Sequence, residues 1–584
     1  MKPSVVRILC VAAVAVASAF AIFLSISYFA IPLFVWLSPS LNPTLYDWGL
    51  YGACPLQTFV SSDLVVPRVS TARSHSDCDN GFVFLTVGGD SAGPTGPTIL
   101  NSDNELVWKS QDYAVTTNLQ VQRYKGQDYL TFWSGKKLGT KGVGVYYLVS
   151  WSFAARVTLT HGGIQLDASY NVAHQVSAVG DDTQGDLHEF KITKEDTALL
   201  TVYTTTKADL SSLGKRSNGW ILDSRFQEVD IATGELLFEW RASEHFDVTE
   251  SYMTNPFGGY IRSIPFDFFH INSIDKDSQG NYIISSRHTH TVTCISPGGE
   301  ILWILGGQRN QFTDLSGGDA LDFKWQHDAR WVSEEKGILS LFDNKEAGPL
   351  HVDGPYSRGM MLQLDIANRT VELLHSYVSL QQTRAPSQGS MQVIPDSDHV
   401  FVGWGHSPVF SEFLSNGTLL CEHHFGSPLY HPWNRAVSYR AFRGRKWVGR
   451  PTDPPSAEIE DQILYVSWNG ATEVSAWMLQ GAKSADEGEI FTDLDIVDKD
   501  SFEEAFDLAN LSEYSQFRVV ALDRNDQVLG QSDVVTHQPE RGWWSFVLAV
   551  VAWAVIFRIA WCSYKWLARQ KGSGLAWKTF GSKQ

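Results

Sequence analysis

A strand, a polar turn and a second apolar strand recur together along most of this chain. In each copy the first strand alternates apolar and polar residues, the turn contains Gly, Asn or Asp, and the second strand carries Trp or another aromatic residue. Period-two alternation bounded by such turn residues is typical of β-hairpins. The repeat therefore predicts an all-β fold built from similar units. The five clearest copies occupy residues 98–110, 228–240, 293–305, 363–377 and 411–425.

The spacing of the copies narrows the choice among all-β folds. The gaps of roughly 50 to 130 residues allow one or two further units between matches, and four strands in about 40–50 residues are the signature of a β-propeller blade. A β-sandwich or a β-helix has a similar density of strands, but neither explains a hairpin that recurs so far apart. The sequence predicts a six-bladed β-propeller in residues 41–445.

A smaller β-module is expected after the propeller, in residues 446–540. An Arg- and Pro-rich linker, residues 443–456, marks the transition. Two strand-rich segments, 463–479 and 516–532, flank an acidic stretch at 499–510 that is predicted to be helical. The pattern favours an immunoglobulin-like β-sandwich. With 584 residues, of which 43% are hydrophobic, the chain is long enough to fill both cores.

Both ends of the chain are apolar enough to predict membrane segments. Residues 1–40 are interpreted as an uncleaved signal anchor, although the small residues at 17–21 leave cleavage open. Residues 541–570 are predicted to form a transmembrane helix, and residues 571–584 a basic tail. The positive-inside rule places that tail in the cytoplasm and the body in the lumen or outside the cell. The chain is thus expected at a membrane of the secretory pathway or at the cell surface.

The charge of the body argues against nucleic acid as a partner. Residues 41–540 contain 37 Lys and Arg against 64 Asp and Glu, a net charge of −27, whereas nucleic-acid-binding proteins present basic surfaces. Sequons at Asn368, Asn416 and Asn510 predict glycosylation if this body enters a secretory lumen.

Four cysteines of the body permit three disulfide pairings. The arrangement expected here is the local pair Cys54–Cys78 together with Cys294–Cys421. The spacing matches neither a zinc site nor a redox motif. No metal and no cofactor are expected.

A serine-hydrolase interpretation fails on local structure. The string 89-GDSAG-93 matches a nucleophile elbow, and 161-HGG-163 matches an oxyanion-hole loop. An elbow serine is followed at once by a helix, but two prolines and a strand follow here. The oxyanion loop also comes after the serine instead of before it. A Gly-rich hairpin turn is the better interpretation.

Three histidines open equivalent strand-turn-strand elements. They are His188, His270 and His327, and Arg287 ends the second strand of the His270 element. Polar groups at such positions cost free energy to bury unless a ligand uses them. Because the first strand of each propeller blade lines the central channel, the three imidazoles are expected to meet at one axis, with Arg287 returned beside His270 by antiparallel pairing. Zinc is a competing ligand, but a guanidinium beside the site disfavours it.

Five motifs carry a resemblance to a known family: DLHEF, HINSID followed by SSRH, LWILGG, FKWQHDAR and LFDN. In these motifs the chain resembles the arylsulfotransferase family, specifically its eukaryotic, mainly fungal branch, over about residues 60–535. The resemblance implies a six-bladed propeller that moves a sulfuryl group from an aryl sulfate donor to a phenolic acceptor, without a nucleotide sulfate donor and through a sulfated histidine. The family's site histidines and arginine match His327, His270, His188 and Arg287.

The chemistry of sulfuryl transfer suits these residue types. His327 is expected to attack sulfur and hold the group covalently, while Arg287 offers a fork of donors to the sulfuryl oxygens. His188 and His270 are expected to bind the same oxygens or to protonate the leaving phenolate. Four tryptophans near these segments either stack on a substrate ring or pack in blade cores; they are Trp303, Trp325, Trp331 and Trp404.

Two other functions remain open on the sequence. A propeller that keeps these residues but serves as a non-catalytic binding or scaffold protein is the main alternative, and its protein partners cannot be named from the sequence. A quinone-dependent dehydrogenase is more remote, because no calcium-ligand cluster accompanies the repeats. Formation of a sulfuryl adduct on His327 distinguishes the transferase from the scaffold.

Overall fold

The computed structural model of this protein has an all-β architecture, as the sequence predicts. A short helix, α1 (Pro43–Asp47), precedes the first strand, and a few single 3-10 turns interrupt the loops. The structure describes residues 41–150, 170–181, 183–444, 447–483 and 490–537, with scattered positions between 15 and 33 and residue 558.

Twenty-eight of the strands in the described residues precede residue 446. The first fourteen are β1 (Leu56–Thr58), β2 (Val65–Pro67), β3 (Ser70–Arg73), β4 (Phe82–Gly88), β5 (Gly96–Leu100), β6 (Leu106–Lys109), β7 (Val115–Tyr124), β8 (Gln127–Leu138), β9 (Lys141–Ser150), β10 (Val172–Val176), β11 (Gly185–Ile192), β12 (Thr197–Ala208), β13 (Gly219–Asp230) and β14 (Leu236–Arg241). The next fourteen are β15 (Ile271–Lys276), β16 (Tyr282–Ser286), β17 (Thr291–Ile295), β18 (Ile301–Gly306), β19 (Thr313–Asp314), β20 (His327–Ser333), β21 (Ile338–Asp343), β22 (Arg358–Asp365), β23 (Thr370–Tyr377), β24 (Ser390–Val393), β25 (His399–Gly403), β26 (Val409–Leu414), β27 (Leu419–His424) and β28 (Val437–Gly444).

These strands form sheets that follow one another along the chain and are antiparallel except for the pair β19–β23. Their orders are β28-β4-β5-β6, β7-β8-β9-β11-β12-β13-β14 with β10 beside β9, β15-β16-β17-β18, β20-β21-β22-β23-β19, and β24-β25-β26-β27-β3. The five hairpins predicted from the repeat are confirmed, because they correspond to the pairs β5–β6, β13–β14, β17–β18, β22–β23 and β26–β27.

Six strands form a closed cycle in which each contacts the next. In order they are β7, β11, β15, β20, β24 and β28, and β28 contacts β7. Five of them begin a run of consecutive strands that are paired in antiparallel order, and β28 pairs with β4, which continues to β5 and β6. Apolar side chains fill the spaces between neighbouring sheets, such as Phe269, Ile274 and Trp240 in one cluster and Leu339, Leu341 and Phe323 in the next. This cycle brings residues that are far apart in the sequence to one axis.

The cycle is closed by strands from both ends of this region. β28 pairs with β4, and β3 pairs with β27. A disulfide joins Cys78 to Cys421, so the predicted pairs Cys54–Cys78 and Cys294–Cys421 are wrong. The pairing of β3 with β27 places the segment after β3 beside Cys421, which spacing along the chain does not reveal. Cys54 and Cys294 are buried free thiols.

The remaining strands form two further sheets around a shared apolar core. They are β29 (Ser456–Glu460), β30 (Ile463–Ser467), β31 (Ala476–Ala482), β32 (Thr492–Asp498), β33 (Glu503–Asp507), β34 (Gln516–Leu522), β35 (Val528–Gln531) and β36 (Val535–Thr536). The helix predicted at 499–510 is wrong, because β33 lies there and pairs with β30. Phe506 and Leu508 are buried while Ala505 and Asp507 are exposed, which is the period of a strand.

The predicted membrane placement, with a cytoplasmic C-terminal tail, is wrong by the structure. No helix among the described residues is both long and apolar enough to cross a bilayer. Residues 1–40 and 541–584, on which the prediction rested, lie largely outside the described part of the chain. An apolar run is compatible with a span but does not by itself establish one.

Candidate active site

The four residues singled out in the sequence line one cavity of about 460 Å³. His188 lies on β11, His270 directly precedes β15, and His327 is the first residue of β20. Arg287 follows β16, and its backbone N–H donates to the carbonyl of His270 at 2.9 Å. The predicted meeting of these side chains therefore occurs, because the strands that carry the three histidines are neighbours in the cycle.

Two of the histidines are oriented by buried carboxylates. His188 Nδ1 is hydrogen-bonded to Asp186, which is fully buried, and His270 Nδ1 lies 2.7 Å from Asp267 Oδ2. The two imidazole rings are 4.7 Å apart between centroids. Since Nδ1 is occupied in both rings, Nε2 is the nitrogen that remains for a ligand.

His327 is held through a fixed side-chain amide. Its Nδ1 lies 2.7 Å from Asn344 Oδ1, and Asn344 Nδ2 donates to the carbonyls of Ala385 and Gln388. Because the amide must present its oxygen to the imidazole, His327 carries its proton on Nδ1 and its lone pair on Nε2. That lone pair accepts only a long bond, 3.2 Å, from the backbone N–H of Gln388.

Burial keeps the imidazoles of His270 and His327 neutral. Desolvation, followed by the charge of Arg287, holds the pKa of His327 well below its usual range, and Asn344 opposes this shift only in part. The pKa of His270 is lowered in the same way, by burial and then by His188 and Arg287. A neutral imidazole has the free electron pair that nucleophilic attack requires.

Arg287 is a buried cation that lacks an ion-pair partner. Arg287 is 8% exposed, and within the described residues its guanidinium forms no ion pair at 4.0 Å or less. One terminal nitrogen donates to the carbonyl of Pro386 at 2.8 Å, another lies 3.1 Å from His288 Nε2, and Nε has no hydrogen-bond partner among the described residues. Burial lowers the pKa of Arg287 to about 10. An anion in the cavity would provide the missing charge.

Sequence reasoning missed four residues of the site. Asp186, Asp267 and Asn344 orient the histidines, as described above. Tyr439 on β28 also lines the cavity, and its buried hydroxyl has no hydrogen-bond partner in the described residues. Asp186 lies two residues before His188 and on the same face of the strand. Its pairing with His188 could therefore have been predicted from the local sequence.

The described site agrees with a comparison of the sequence with protein families. The model of the arylsulfotransferase (ASST) family matches residues 120–426, which is more than half of the chain and includes all four site residues singled out in the sequence. The chain belongs to the arylsulfotransferase family. Membership supports an arylsulfotransferase-like function, with an aryl sulfate as donor and a phenol as acceptor. The match does not distinguish the fungal branch from the rest of the family.

The solved structures that match this arylsulfotransferase family member share little sequence with it. A protein of unknown function from Bacteroides caccae has 14% identity and a TM-score of 0.34, covering 63% of this chain and 100% of its own. A protein from Lactobacillus plantarum has 10% identity and a TM-score of 0.30, with 74% and 100% covered. Virginiamycin B lyase from Staphylococcus aureus has 7% identity and a TM-score of 0.28, with 68% and 95% covered. Among curated proteins, none matches this chain.

The tryptophans near the site motifs belong to the packing of the arylsulfotransferase fold. None of the four is among the residues that line the cavity. Trp303 and Trp331 pack beside one core cluster, and Trp404 is fully buried in another. Trp325 lies under Arg287, with the guanidinium carbon 5.7 Å from its ring. Of the two interpretations in the sequence, core packing is the one that the structure supports.

One group of side chains has the spacing of a metal site. The ligand atoms of Asp267, His270 and His288 lie within 4.8 Å of one another. His288 Nδ1 is 2.7 Å from the carbonyl of Asp267, so it donates, and its Nε2 accepts from Arg287. His288 then has no lone pair left for a metal. Hydrogen bonds within the group account for its geometry.

A second set of charged residues lies one position further along the same strands. Glu189 on β11 pairs with Arg330 at 2.5 Å and with Arg440 at 3.0 Å. Asp328 pairs with the same two arginines, at 2.8 and 3.4 Å. Burial would raise the pKa of Glu189, but the arginines hold it at about 2. We refer to Glu189, Asp328, Arg330 and Arg440 as the salt-bridge network.

Proposed function

We propose that this protein is a six-bladed β-propeller that transfers a sulfuryl group from an aryl sulfate to a phenol through a sulfohistidine at His327, without a nucleotide sulfate donor. The closed cycle of six first strands supports six blades in residues 41–445, and the two sheets after residue 446 support a small sandwich in residues 446–540. The observation that carries the chemistry is Arg287, a buried and unpaired guanidinium in the same cavity as a neutral His327.

In the first half-reaction, Nε2 of His327 forms a bond to sulfur while the bond between sulfur and the ring oxygen breaks. The electron pair of that bond leaves with the phenolate, which takes up a proton that solvent supplies by way of Nε2 of His188 or His270. Arg287 binds the sulfuryl oxygens, on which negative charge is spread in a loose transition state. The positive charge that develops on the imidazole is stabilised by Asn344 Oδ1 at Nδ1.

In the second half-reaction, the oxygen of the acceptor phenol attacks the same sulfur. The bond between Nε2 and sulfur breaks, its electrons return to the imidazole, and the phenol proton passes to His188 or His270. Their Nδ1 atoms are already bonded to Asp186 and Asp267, so proton exchange with the phenol takes place at Nε2. Two transfers of this kind predict ping-pong kinetics.

The adduct itself tests the proposal. The purified protein is incubated with 4-nitrophenyl sulfate, digested and analysed by mass spectrometry for a sulfuryl group on the peptide that contains His327. We expect the adduct and a stoichiometric release of 4-nitrophenol in the wild type, and neither in His327→Ala. His75→Ala, which changes an exposed histidine outside the cavity, serves as the matched control and should keep both. Retained turnover in His327→Ala rejects the covalent role.

A further inference from the structure

The mouth of the cavity is covered on one side by the turn between β8 and β9. Lys137, Gly139 and Thr140 of this hairpin line the cavity. Thr140 Oγ1 donates to Asp267 Oδ2 at 3.1 Å, and Asp267 also binds His270. The hairpin is therefore tied to the group that orients a site histidine, which fixes the position of its tip over the cavity.

Lys137 brings a second cation into the cavity, far along the chain from Arg287. Its side chain is exposed at the rim, yet the surrounding protein desolvates the ammonium enough to lower its pKa, and no carboxylate offsets this effect. Asp90 is the acidic residue that lines the same cavity. It is highly exposed and paired with Arg435 at 3.7 Å. The ammonium of Lys137 thus has no ion-pair partner among the described residues.

The cavity that both cations line is large enough for an aryl substrate. A volume of about 460 Å³ falls in the range of pockets that hold ligands of drug size. Under the proposed function, the sulfuryl group of a donor would occupy the buried end, where Arg287 and the three histidines lie. The aromatic ring would then extend toward the exposed rim, where Lys137 lies. A substituent on the far side of the ring would face the ammonium.

We propose that Lys137 forms a second anion subsite, which selects aryl substrates that carry a carboxylate on the ring opposite the sulfate. The inference rests on the proposed function, since it uses Arg287 as the sulfuryl site. An ammonium is a point charge without a fixed fork of donors, so it recognises the charge of the substituent more than its shape. Lys136, the neighbouring residue on the same hairpin, does not line the cavity and provides a matched control.

Binding of stable analogues tests the subsite without any need for turnover. Benzenesulfonate and 4-carboxybenzenesulfonate resemble the donor but have no phenolate to release. Their dissociation constants are measured by calorimetry for the wild type, Lys137→Gln and Lys136→Gln. We expect the wild type to prefer the carboxylated analogue by about five-fold, the upper end for a solvent-exposed ion pair. Lys137→Gln should lose this preference, and Lys136→Gln should keep it.

The possible results separate the subsite from the proposed function. If both analogues bind the wild type equally, or if Lys136→Gln loses the preference as fully as Lys137→Gln, the Lys137 subsite is rejected and the transferase proposal is untouched. If neither analogue binds, the subsite is rejected together with the assignment of Arg287 as the sulfuryl site. Unchanged binding of benzenesulfonate to Lys137→Gln confirms that this variant keeps its fold and its buried end.

Discussion

The candidate site, which we call the axial site, consists of His188, His270, Arg287 and His327. It shares strands with the salt-bridge network, but buried charges are paired in the network and left unpaired in the axial site. His188 and Glu189 are adjacent on β11, His327 and Asp328 on β20, and Tyr439 and Arg440 on β28. In the network, two carboxylates meet two guanidiniums within 2.5 to 3.4 Å. In the site, the described residues offer Arg287 no carboxylate within that reach and the hydroxyl of Tyr439 no hydrogen-bond partner.

This difference distinguishes residues that stabilise the fold from residues that are available to bind a ligand. A buried charge that is fully paired stabilises the structure mainly by avoiding an uncompensated charge, and nothing further is required of it. A buried charge that is left unpaired costs free energy unless a ligand of opposite charge binds to it. A substitution can leave a paired buried charge unpaired, or it can remove an unpaired one, and the two changes should have opposite effects on stability.

The largest effect is expected from Glu189→Gln in the salt-bridge network. The change leaves Arg330 and Arg440 with one carboxylate between them, so we expect the free energy of unfolding to fall by about 3–5 kcal/mol. Chemical denaturation followed by circular dichroism measures it. Glu458→Gln, which changes an exposed acid on β29, should shift it by less than about 0.5 kcal/mol. If a Glu189 variant kept full stability but lost sulfuryl transfer, the salt-bridge network would have a role in catalysis instead.

The opposite result is expected from Arg287→Met in the axial site. Loss of the guanidinium should reduce sulfuryl transfer by about 10²–10³, comparable with the removal of one oxyanion-hole donor. Stability should stay the same or rise, because a buried and unpaired charge is replaced by an apolar side chain of similar length. Initial rates with 4-nitrophenyl sulfate and thermal unfolding are measured together. Arg287→Lys should also be strongly impaired while remaining folded, because an ammonium lacks the fork geometry.

A smaller effect is expected where the site depends on an uncharged partner. Asn344→Leu removes the acceptor at Nδ1 of His327, a bond worth about 1–1.5 kcal/mol, so kcat should fall by about ten-fold. The KM for the donor should change little, because Arg287 is untouched. Steady-state kinetics separate the two constants. An equal change in KM would mean that Asn344 supports donor binding and does not position the nucleophile.

The repeat and the chemistry-bearing residues were accessible from the sequence because both depend on local patterns. Turn residues and period-two alternation define hairpins such as residues 98–110 and 411–425, and these hairpins are confirmed. The histidines were recognised because each opens the same element. Equivalent positions in repeated units meet at an axis, so the meeting of His188, His270 and His327 could be predicted as well.

The errors concern features that depend on pairing between distant parts of the chain. The disulfide Cys78–Cys421 follows from the pairing of β3 with β27, which closes the cycle. Tyr439 lies on the other closing strand, where nothing nearby distinguishes it from a core tyrosine. The acidic stretch at 499–510 has a helical composition, but the burial of Phe506 and Leu508 and the pairing of β33 with β30 show a strand there. Propensity is overridden there by tertiary context.

The smallest effect is expected from pH, and it distinguishes a buried imidazole from a solvated one. An unperturbed histidine has a pKa of about 6.5, so at pH 6 only about a quarter of it is neutral. Burial and Arg287 hold the pKa of His327 well below that value. The rate of the first half-reaction should therefore change by less than about two-fold between pH 8 and 6. Rapid-quench measurement of 4-nitrophenol release in a single turnover reports this step without the acceptor.

The sign of the stability change provides the control for that measurement. His270, His288 and His327 have lowered pKa values in the folded protein, so below about pH 6.5 the unfolded chain binds protons that the folded chain does not. Stability must then decrease as the pH falls, while the rate per folded molecule stays constant until the folded-state pKa is reached. A rate that instead follows a titration near pH 6.5 while circular dichroism shows an intact fold would mean that water reaches His327. The contrast between a site with an unpaired buried charge and a network of paired charges would then not hold.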